Sequence, residues 1–495
     1  MKRITSIIIA GFILFGMSVI AAAEKNPVQE EIFYRILVDR YNNGNFEQNK
    51  HTDVEDPKAY HGGDLKGITD KLDSFEEMGY TTLVLSPIMA NAPNGYHGYW
   101  IEDFYEIEEQ FGDMKSFNQL IDEAHKRDIK VIVELVANYI AASHPIANDP
   151  TKEEWLEREE IIDTPWGDKA VKLNQENKAV QKYLVDVATY WMKEADIDGY
   201  LLHAADQSNP EFMEQLTGKI KQQDPNFYLL ADVLEPDSDI TFLLQDNNLD
   251  AVDNHKAQQA MKEVFSQLGK SPEAIYENTM ADRQKNMLFL DDETMERFTQ
   301  AVVENGRNSL TAWRLALTYL YSMPGVPIMF QGSELPMAGT TIEEVQRLVE
   351  FNSGNKDLVE FYNRISSLRN QFPSLRQGDY ELVGSDGAMS VFKRTYDGQT
   401  MFIAINNDET TRSVSITDLA PGKQLRGYLG DHTVRENDNG EYKIGLDRET
   451  VEVFSVTEDI GLNWLFIGFV ATVFLLFIIS VIVISMKQKK NKSST

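Results

Sequence analysis

The stretch Leu288-Phe289-Leu290-Asp291-Asp292-Glu293-Thr294-Met295-Glu296-Arg297-Phe298 joins a short apolar run to a cluster of carboxylates. A short apolar run of this kind is typical of a buried strand, and we place that strand at Met287–Leu290. In parallel barrels the chemistry lies at the carboxyl ends of the strands. The stretch therefore predicts a buried parallel strand with acidic side chains at its functional end.

Seven similar runs occur along the chain, and amphipathic helical patterns such as Met114–Arg127 and Ala179–Glu194 separate most of them. Strand–helix units repeated over about 340 residues predict an α/β fold, a (β/α)8 TIM barrel. A doubly wound open sheet is the alternative, but the even distribution of strands favours closure. The seven runs are Ile32–Val38, Thr82–Ser86, Val131–Val136, Gly199–Ala204, Phe227–Val233, Leu249–Asp253 and Val326–Phe330.

The pattern changes twice, and the changes suggest domain boundaries. Residues 143–173, after the third strand, are too many for a simple loop and predict a small excursion over the barrel mouth. Past Pro373 short alternating strands with turn signals indicate a C-terminal β-sandwich. We expect the barrel at 24–375 and the β-sandwich at 376–457.

Both ends of the chain have the features of targeting segments. Residues 1–23 combine a basic start, an apolar run and small residues, which predicts a signal peptide, with an uncleaved anchor as the alternative. Residues 464–486 are almost continuously apolar and long enough to cross a bilayer. The Lys-rich tail at 487–495 favours the cytoplasmic side. We expect a single-pass cell-membrane protein whose N-terminal domain is extracellular.

Composition excludes several classes of function. The 495 residues include no cysteine, which excludes disulfides, a thiol nucleophile and thiolate metal sites. The net charge of −31 argues against nucleic acid as a partner. An acidic surface of this kind suits solubility outside the cell.

Several short segments, in order from about Glu30 to Thr457, resemble the alpha-amylase family of retaining glycoside hydrolases, nearest the neopullulanase and maltogenic amylase type. The resemblance implies a TIM barrel and a mechanism that needs two carboxyl groups across the scissile bond. The matching segments are Ile32-Phe33-Tyr34, Asp39-Arg40-Tyr41, His61-Gly62-Gly63-Asp64-Leu65, Tyr96-His97-Gly98-Tyr99-Trp100, Leu173-Asn174-Gln175-Glu176-Asn177 and Pro324-Gly325-Val326-Pro327.

The family's catalytic positions are substituted in this chain. The resemblance places His203 at the nucleophile, Leu201 at the arginine that fixes it, and Asp232 at the glutamate acid/base. It places Thr294 at the third carboxylate and Glu293 at a sugar-binding histidine. An imidazole lacks the negative charge that favours an oxocarbenium-like transition state, and Asp232 is one methylene short. These substitutions predict a pseudoenzyme.

An active centre built from other carboxylates is the alternative. Several acidic residues would stand near the barrel mouth, and a different acid/base pair among them remains open. They are Glu134, Asp206, Asp232, Asp291, Asp292 and Glu293.

Parts of a sugar site also match the family. The resemblance assigns Tyr99 as the aromatic platform under the sugar at the cleavage subsite, with His97 beside it. Asn138 and Arg297 match positions that address sugar hydroxyls. Packing at the barrel mouth is the alternative role for all four.

A calcium site is implied by the resemblance at Asn43, Asn45, Asn49, Gly62 and Asp64. Calcium prefers oxygen ligands, and its affinity follows their charge. Asp64 is the main anionic ligand among these, so we expect a weak or lost site. An Asn/Gly-rich turn is the alternative explanation. No other cofactor is expected.

Together these features predict a membrane-anchored, extracellular, catalytically inactive alpha-amylase-like protein in a carbohydrate-related role. It would bind an alpha-glucan or oligosaccharide, or act as a scaffold for a surface partner. An active alpha-glucan hydrolase with a rearranged carboxylate pair is the competing hypothesis. A membrane-protein partner that contacts the C-terminal helix is a third.

Overall fold

The computed structural model describes residues 28–158, 166, 169–278, 285–459 and 461, together with the backbone of Trp464–Lys492 and the side chains of 467–486. The signal peptide predicted at 1–23 lies outside the described residues.

Strands account for the barrel, the excursion and the C-terminal domain. They are β1 (Phe33–Ile36), β2 (Thr82–Leu85), β3 (Met89–Asn91), β4 (Ile101–Ile107), β5 (Lys130–Leu135), β6 (Tyr139–Ala141), β7 (Leu156–Glu157), β8 (Ala170–Leu173), β9 (Gly199–Leu202), β10 (Tyr228–Ala231), β11 (Ala251–Asp253), β12 (Asn286–Leu288), β13 (Val326–Phe330), β14 (Asp379–Asp386), β15 (Met389–Tyr396), β16 (Gln399–Asn406), β17 (Arg412–Ile416), β18 (Lys423–Gly427), β19 (Thr433–Arg435), β20 (Tyr442–Leu446) and β21 (Thr450–Glu458).

Helices surround the barrel, and one long helix follows the C-terminal domain. They are α1 (Leu65–Thr69), α2 (Leu72–Glu77), α3 (Met114–His125), α4 (Lys178–Glu194), α5 (Pro210–Gln223), α6 (Thr241–Gln245), α7 (His255–Ser266), α8 (Glu273–Asn278), α9 (Phe298–Glu304), α10 (Ser309–Ser322), α11 (Ile342–Val345), α12 (Lys356–Gln371), α13 (Pro373–Gln377) and α14 (Trp464–Lys492).

The predicted TIM barrel is confirmed. Eight strands close in the order β1-β13-β12-β11-β10-β9-β5-β2, and every neighbouring pair is parallel. Most of the strands end before the predicted boundary. The fourth barrel strand, for example, stops at Leu202 rather than Ala204, so His203 begins the loop above the barrel. Side chains just beyond the strand ends are thereby aimed at the mouth.

A small antiparallel sheet stands over that mouth. Strand β8 pairs with β6 and β7, which gives the segment after the third barrel strand its own structure. Trp166 belongs to the same segment and is buried.

The C-terminal domain, predicted as a β-sandwich, consists of antiparallel strands. A six-stranded sheet, β14-β15-β16-β21-β18-β19, faces the β17–β20 pair. Their inner faces share one apolar core that includes Phe402, Val414, Ile444 and Phe454. Residues from both layers in one core are what a β-sandwich requires.

Helix α14 follows that domain, and none of the span Ile467–Met486 is buried. The span has 20 residues with a mean hydropathy of 3.1. By length and composition it is the one candidate for crossing a membrane among the described helices.

Candidate active site

Alternation along the barrel strands decides which side chains meet at the mouth. Successive side chains in a strand point to opposite faces, so residues two apart line the interior one above the other. The lower interior layer is apolar and includes Phe33, Ile132, Leu201 and Leu230. Two residues further along the chain from each of these stand the polar side chains of the site, which are Arg35 and Glu134 within their strands and His203 and Asp232 just beyond theirs.

Arg35 is the hub of this polar layer. Its Nη2 lies 2.6 Å from Oε1 of Glu293 and 3.5 Å from Oε2 of Glu134, and its Nη1 lies 3.8 Å from Oδ1 of Asp232. All four side chains are buried. A buried guanidinium needs carboxylate partners to offset its desolvation, and here three carboxylates share one.

His203 lies on the other side of the same carboxylates. Its Nδ1 is 2.7 Å from Oε1 of Glu134 and 3.0 Å from Oδ2 of Asp232. Its Nε2 is 2.7 Å from the hydroxyl of Tyr139. Glu134 and Asp232 therefore each present one oxygen to Arg35 and the other to His203.

The cluster perturbs the protonation of its members. Burial opposes a charge on His203, but the Asp232 and Glu134 carboxylates outweigh it and raise the pKa of His203 to about 9. Burial also opposes a charge on Asp232, but Arg35 and His203 hold the pKa of Asp232 well below its usual range. For Glu293, burial prevails over the attraction of Arg35 and raises the pKa to about 7.

Tyr99 closes the cluster from above. Its hydroxyl lies 3.2 Å from Oε2 of Glu134 and 3.1 Å from Oε1 of Glu293. The Trp166 indole stacks on its ring, with centroids 4.1 Å apart and planes 7° apart. Trp166 is anchored there because its Nε1 donates to the Tyr139 hydroxyl at 2.9 Å and its carbonyl accepts from Trp100 Nε1. The predicted sugar platform is thus fully buried, beneath an aromatic ring from the excursion.

An open cleft lies on the outer side of this stack. It has a volume of about 520 Å³ and is lined by Tyr96, His97, Trp100, Trp166 and Lys169 among others. His97 is buried between Tyr99 and the cleft, and burial lowers the pKa of its imidazole to about 3, so the ring is neutral. Aromatic faces beside polar groups are suited to a pyranose ring.

Other residues predicted to bind substrate hold the scaffold instead. Asn138 donates from Nδ2 to the Ala204 carbonyl at 2.8 Å and so fixes the loop that carries His203. Arg297 is fully buried and donates to the carbonyls of Gln331 and Val345 at 2.8 and 2.7 Å. The described contacts do not bring either side chain to the carboxylate cluster.

The structure also shows what two of the substituted family positions, Leu201 and Thr294, contact. Leu201 packs in the apolar interior layer of the barrel. Thr294, at the third-carboxylate position, donates from Oγ1 to Oδ1 of Asp292 at 2.8 Å, and its backbone N–H donates to the same oxygen at 2.7 Å. Thr294 therefore stabilises a turn.

Sequence reasoning missed Arg35, Tyr139 and Trp166. Arg35 had a detectable signal, because it is a charged residue inside the apolar run Phe33–Ile36 and must find buried partners. Trp166 had none, since its place over the mouth depends on how the excursion folds.

Two of the predicted calcium ligands, Asp64 and Asn45, already have protein hydrogen-bond partners, whereas Oδ1 of Asn43 has none. Oδ2 of Asp64 accepts from the backbone N–H groups of Gly44 and Asn45 at 3.0 and 2.7 Å, and Oδ1 accepts from Gly67 at 2.6 Å. Oδ1 of Asn45 accepts from Glu47. The Asp64 carboxylate, the main anionic group among them, therefore caps α1 and holds the preceding turn. This agrees with the alternative explanation, an Asn/Gly-rich turn.

A closed parallel barrel with a buried carboxylate–guanidinium cluster at its carboxyl-terminal mouth has its candidate site where TIM-barrel enzymes carry theirs. The family models agree. The alpha amylase catalytic domain matches residues 35–164 and 165–367, and the alpha-amylase C-terminal domain matches residues 378–454. The chain therefore belongs to the alpha-amylase family.

Individual relatives agree with this assignment. An Anoxybacillus alpha-amylase structure is 40% identical, with a TM-score of 0.84 over 88% of this chain and 100% of that one. The alpha-amylase of Geobacillus thermoleovorans, complexed with acarbose, is 37% identical, with a TM-score of 0.81 over the same shares. Neopullulanase 2 of Thermoactinomyces vulgaris is 28% identical over 81% of this chain and 75% of its own.

The prediction of a catalytically inactive binding or scaffolding protein is wrong. The relatives carry the names of active enzymes, among them alpha-amylases, neopullulanase 2 and a cyclomaltodextrinase of Thermoanaerobacter pseudethanolicus that is 27% identical over 78% of this chain and 71% of its own. The error came from the assumption that catalysis requires the family's usual residues at the motif positions, which are Leu201, His203 and Thr294 in this chain. The barrel instead gathers Glu134, Asp232 and Glu293 around Arg35.

Proposed function

We propose that this protein is an alpha-glucan glycoside hydrolase that works with a rearranged carboxylate pair, Asp232 and Glu293. The observation that carries the proposal is the shared guanidinium of Arg35, 2.6 Å from Glu293 and 3.8 Å from Asp232. Glycoside hydrolysis needs two carboxyl groups in different roles at one bond. Arg35 holds two such groups at the ends of different barrel strands.

Geometry suggests the roles. Oε1 of Glu293 contacts Arg35 and Tyr99, whereas its Oε2 is buried without a hydrogen-bond partner. A proton is stable on such an oxygen because an unpaired buried charge is costly. Glu293 therefore donates a proton to the glycosidic oxygen as the C–O bond breaks. Water adds to the anomeric carbon and gives its proton to the ionised Asp232.

The substrate class follows from the relatives. Their names include cyclomaltodextrinase, neopullulanase and maltogenic amylase. The aromatic cleft outside Trp166 offers rings for neighbouring glucose units. Alpha-linked glucose oligomers are the substrates that these features support.

The test is hydrolysis of an activated aryl alpha-maltoside by the full-length chain in detergent. Glu293→Gln and Asp232→Asn should each lower kcat by about 100-fold to 10,000-fold. Glu304→Gln, an exposed change on α9, is the matched control and should leave the rate unchanged. An inactive wild type, beside an active variant that combines Leu201→Arg, His203→Asp, Asp232→Glu and Thr294→Asp, would overturn the proposal.

We also propose the location predicted from the sequence, a cell-membrane protein with its N-terminal domain outside. The apolar, unburied span Ile467–Met486 supports it. Protease added to intact cells should remove the barrel domain and leave the C-terminal tail protected. Protection of the barrel would contradict this location. A membrane-protein partner for the helix stays a prediction.

A further inference from the structure

Asp253 is a fifth member of the polar layer at the barrel mouth, and the proposed hydrolysis leaves it without a role. It ends β11, two residues beyond Ala251, which packs in the apolar interior layer. Side chains two apart in a strand share a face, so Asp253 also points into the barrel. It is 4% exposed. A carboxyl group is rarely buried to this extent without a partner.

That partner is Asp232 on the neighbouring strand. Ala231 pairs with Val252 in the parallel ladder between β10 and β11, and Asp232 and Asp253 are the next residues along the two chains. Their carboxyl groups are hydrogen-bonded to each other. An ionised carboxylate can only accept hydrogen bonds. One of the two groups must therefore hold a proton.

The surrounding charges place this proton on Asp253. Asp232 lies 3.0 Å from Nδ1 of His203 and 3.8 Å from Nη1 of Arg35, and both groups favour a negative charge on it. In the described part of the chain Asp253 forms no ion pair, and it accepts a long bond of 3.4 Å from the Val233 N–H. Burial and the charge of Asp232 raise the pKa of Asp253 well above its usual value, and Arg35 offsets them only in part.

Other titratable groups also surround the pair. Asp292 adds a negative charge that favours a proton on Asp253, while Glu134 and Glu293 share the Arg35 guanidinium with the pair. A cleft of about 400 Å³ also reaches Asp253. The titratable side chains that line this cleft beside Asp253 are Asp237, Asp239, His255 and Lys256. Among the described contacts none of these four forms a hydrogen bond or an ion pair with either carboxyl group.

We propose that Asp253 is the protonated member of this pair and a positioning residue for the proposed hydrolysis, in which it donates a hydrogen bond to the ionised Asp232. The inference rests on the proposed role of Asp232 as the base that takes a proton from water. Such a base must be ionised and held in one orientation, and a neutral donor beside it favours both. Asp253 acts through Asp232 alone and keeps its proton throughout the reaction.

Stability against pH tests for the proton and needs no turnover. In the unfolded chain an aspartate ionises at about pH 3.9, whereas the folded pair keeps one proton. An acid whose pKa is raised by folding destabilises the folded state more and more as pH rises from the unfolded pKa towards the folded pKa. Asp253→Asn is neutral in both states. Relative to the wild type, its unfolding equilibrium constant should therefore fall by up to about 10-fold for each pH unit.

Urea unfolding of the full-length chain in detergent, between about pH 5 and about pH 7, measures this trend. Asp237→Asn is the matched control, because Asp237 is an exposed aspartate that lines the same cleft. Its stability should follow that of the wild type across this range. If the advantage of Asp253→Asn does not grow with pH, the pair holds no proton and the proposal is overturned.

Steady-state hydrolysis of the aryl alpha-maltoside tests the positioning role. Asp253→Asn keeps a neutral N–H donor beside Asp232 and should retain most of kcat. Asp253→Leu has a similar size but no donor, and it should lower kcat by about 10-fold to 100-fold with KM unchanged.

Equal losses of kcat in the two variants would overturn the positioning role. A fall of about 10-fold or more in Asp253→Asn would overturn it even if Asp253→Leu does not fold. An inactive wild type would overturn the positioning role together with the proposed function, and the stability comparison would still decide whether the pair holds a proton.

Discussion

The indole of Trp166 lies flat on the phenol ring of Tyr99, with a centroid separation of 4.1 Å and an interplanar angle of 7°. The Tyr99 ring is the surface on which the resemblance places the sugar at the cleavage subsite. Trp166 therefore covers the face on which the resemblance places a sugar, and we expect substrate and indole to compete for it.

Trp166→Ala should raise kcat/KM on maltooligosaccharides, because the substrate no longer has to displace a stacked ring. A stacked aromatic pair contributes about 0.5–1.5 kcal/mol beyond its buried area, which corresponds to a gain of about 10-fold at most. Steady-state kinetics with the aryl maltoside measure it. Trp155→Ala is the control, since Trp155 belongs to the same excursion and packs on Tyr183. Equal effects of the two changes would contradict direct competition.

Arg35→Leu should destabilise the protein by about 3–5 kcal/mol, because it leaves Glu293, Glu134 and Asp232 buried without their guanidinium. Urea unfolding followed by circular dichroism measures this loss. Arg426→Leu removes an exposed arginine in the C-terminal domain and should change stability by about 0.5 kcal/mol or less. If Arg35→Leu costs no more than this control, the three carboxylates do not depend on Arg35.

His125 should make a pH-dependent contribution to stability. Its hydrogen bond with Asp198 raises the pKa of His125 in the folded protein above its usual value of about 6.5. A raised histidine pKa stabilises the fold fully below the unfolded pKa, and the contribution is lost as pH rises through the folded pKa. His125 is partly exposed, so we expect about 0.5 kcal/mol. The stability difference between wild type and His125→Gln should be larger at about pH 5.5 than at about pH 8.5; a difference that grows with pH would contradict the assignment.

Calcium should not stabilise the first loop. The Asp64 carboxylate already accepts three backbone N–H groups, from Gly44, Asn45 and Gly67. Adding CaCl₂ to metal-free protein should leave the Tm unchanged, whereas Asp64→Ala should cost about 1–2 kcal/mol through loss of the helix cap. A rise in Tm with calcium that disappears in Asp64→Ala would show that the loop is a calcium site after all.

The barrel could be predicted from sequence because its signals are local. Short buried strands alternate with amphipathic helices, and the alternation within a strand places interior residues two apart. The resemblance to the family's motifs, not this local pattern, placed His203, Asp232 and Glu293 at strand ends. Only closure of the sheet, which strand β1 completes by pairing with β2 and β13, brings Arg35 to them.

Local sequence patterns could not predict which side chains pair with one another in the site. The sequence does not tell which carboxylates Arg35 will contact. Its strand, β1, reaches the acidic strand ends across the barrel interior, and that contact exists only in the folded barrel. The cover formed by Trp166 depends likewise on tertiary folding of the excursion. The mistaken prediction of inactivity has this cause, because it considered the substituted motif positions together but did not include Arg35, whose charge belongs to the same layer.

The position of Arg35 on β1 limits how the motif positions could revert. Leu201 is in register with Glu134 on the neighbouring strand, so an arginine introduced at 201 alone would bring a second guanidinium to a carboxylate that Arg35 already contacts. Substitutions at 35, 201 and 203 are therefore epistatic. An arginine at 201 should therefore be tolerated better when the positive charge at 35 is removed together with it.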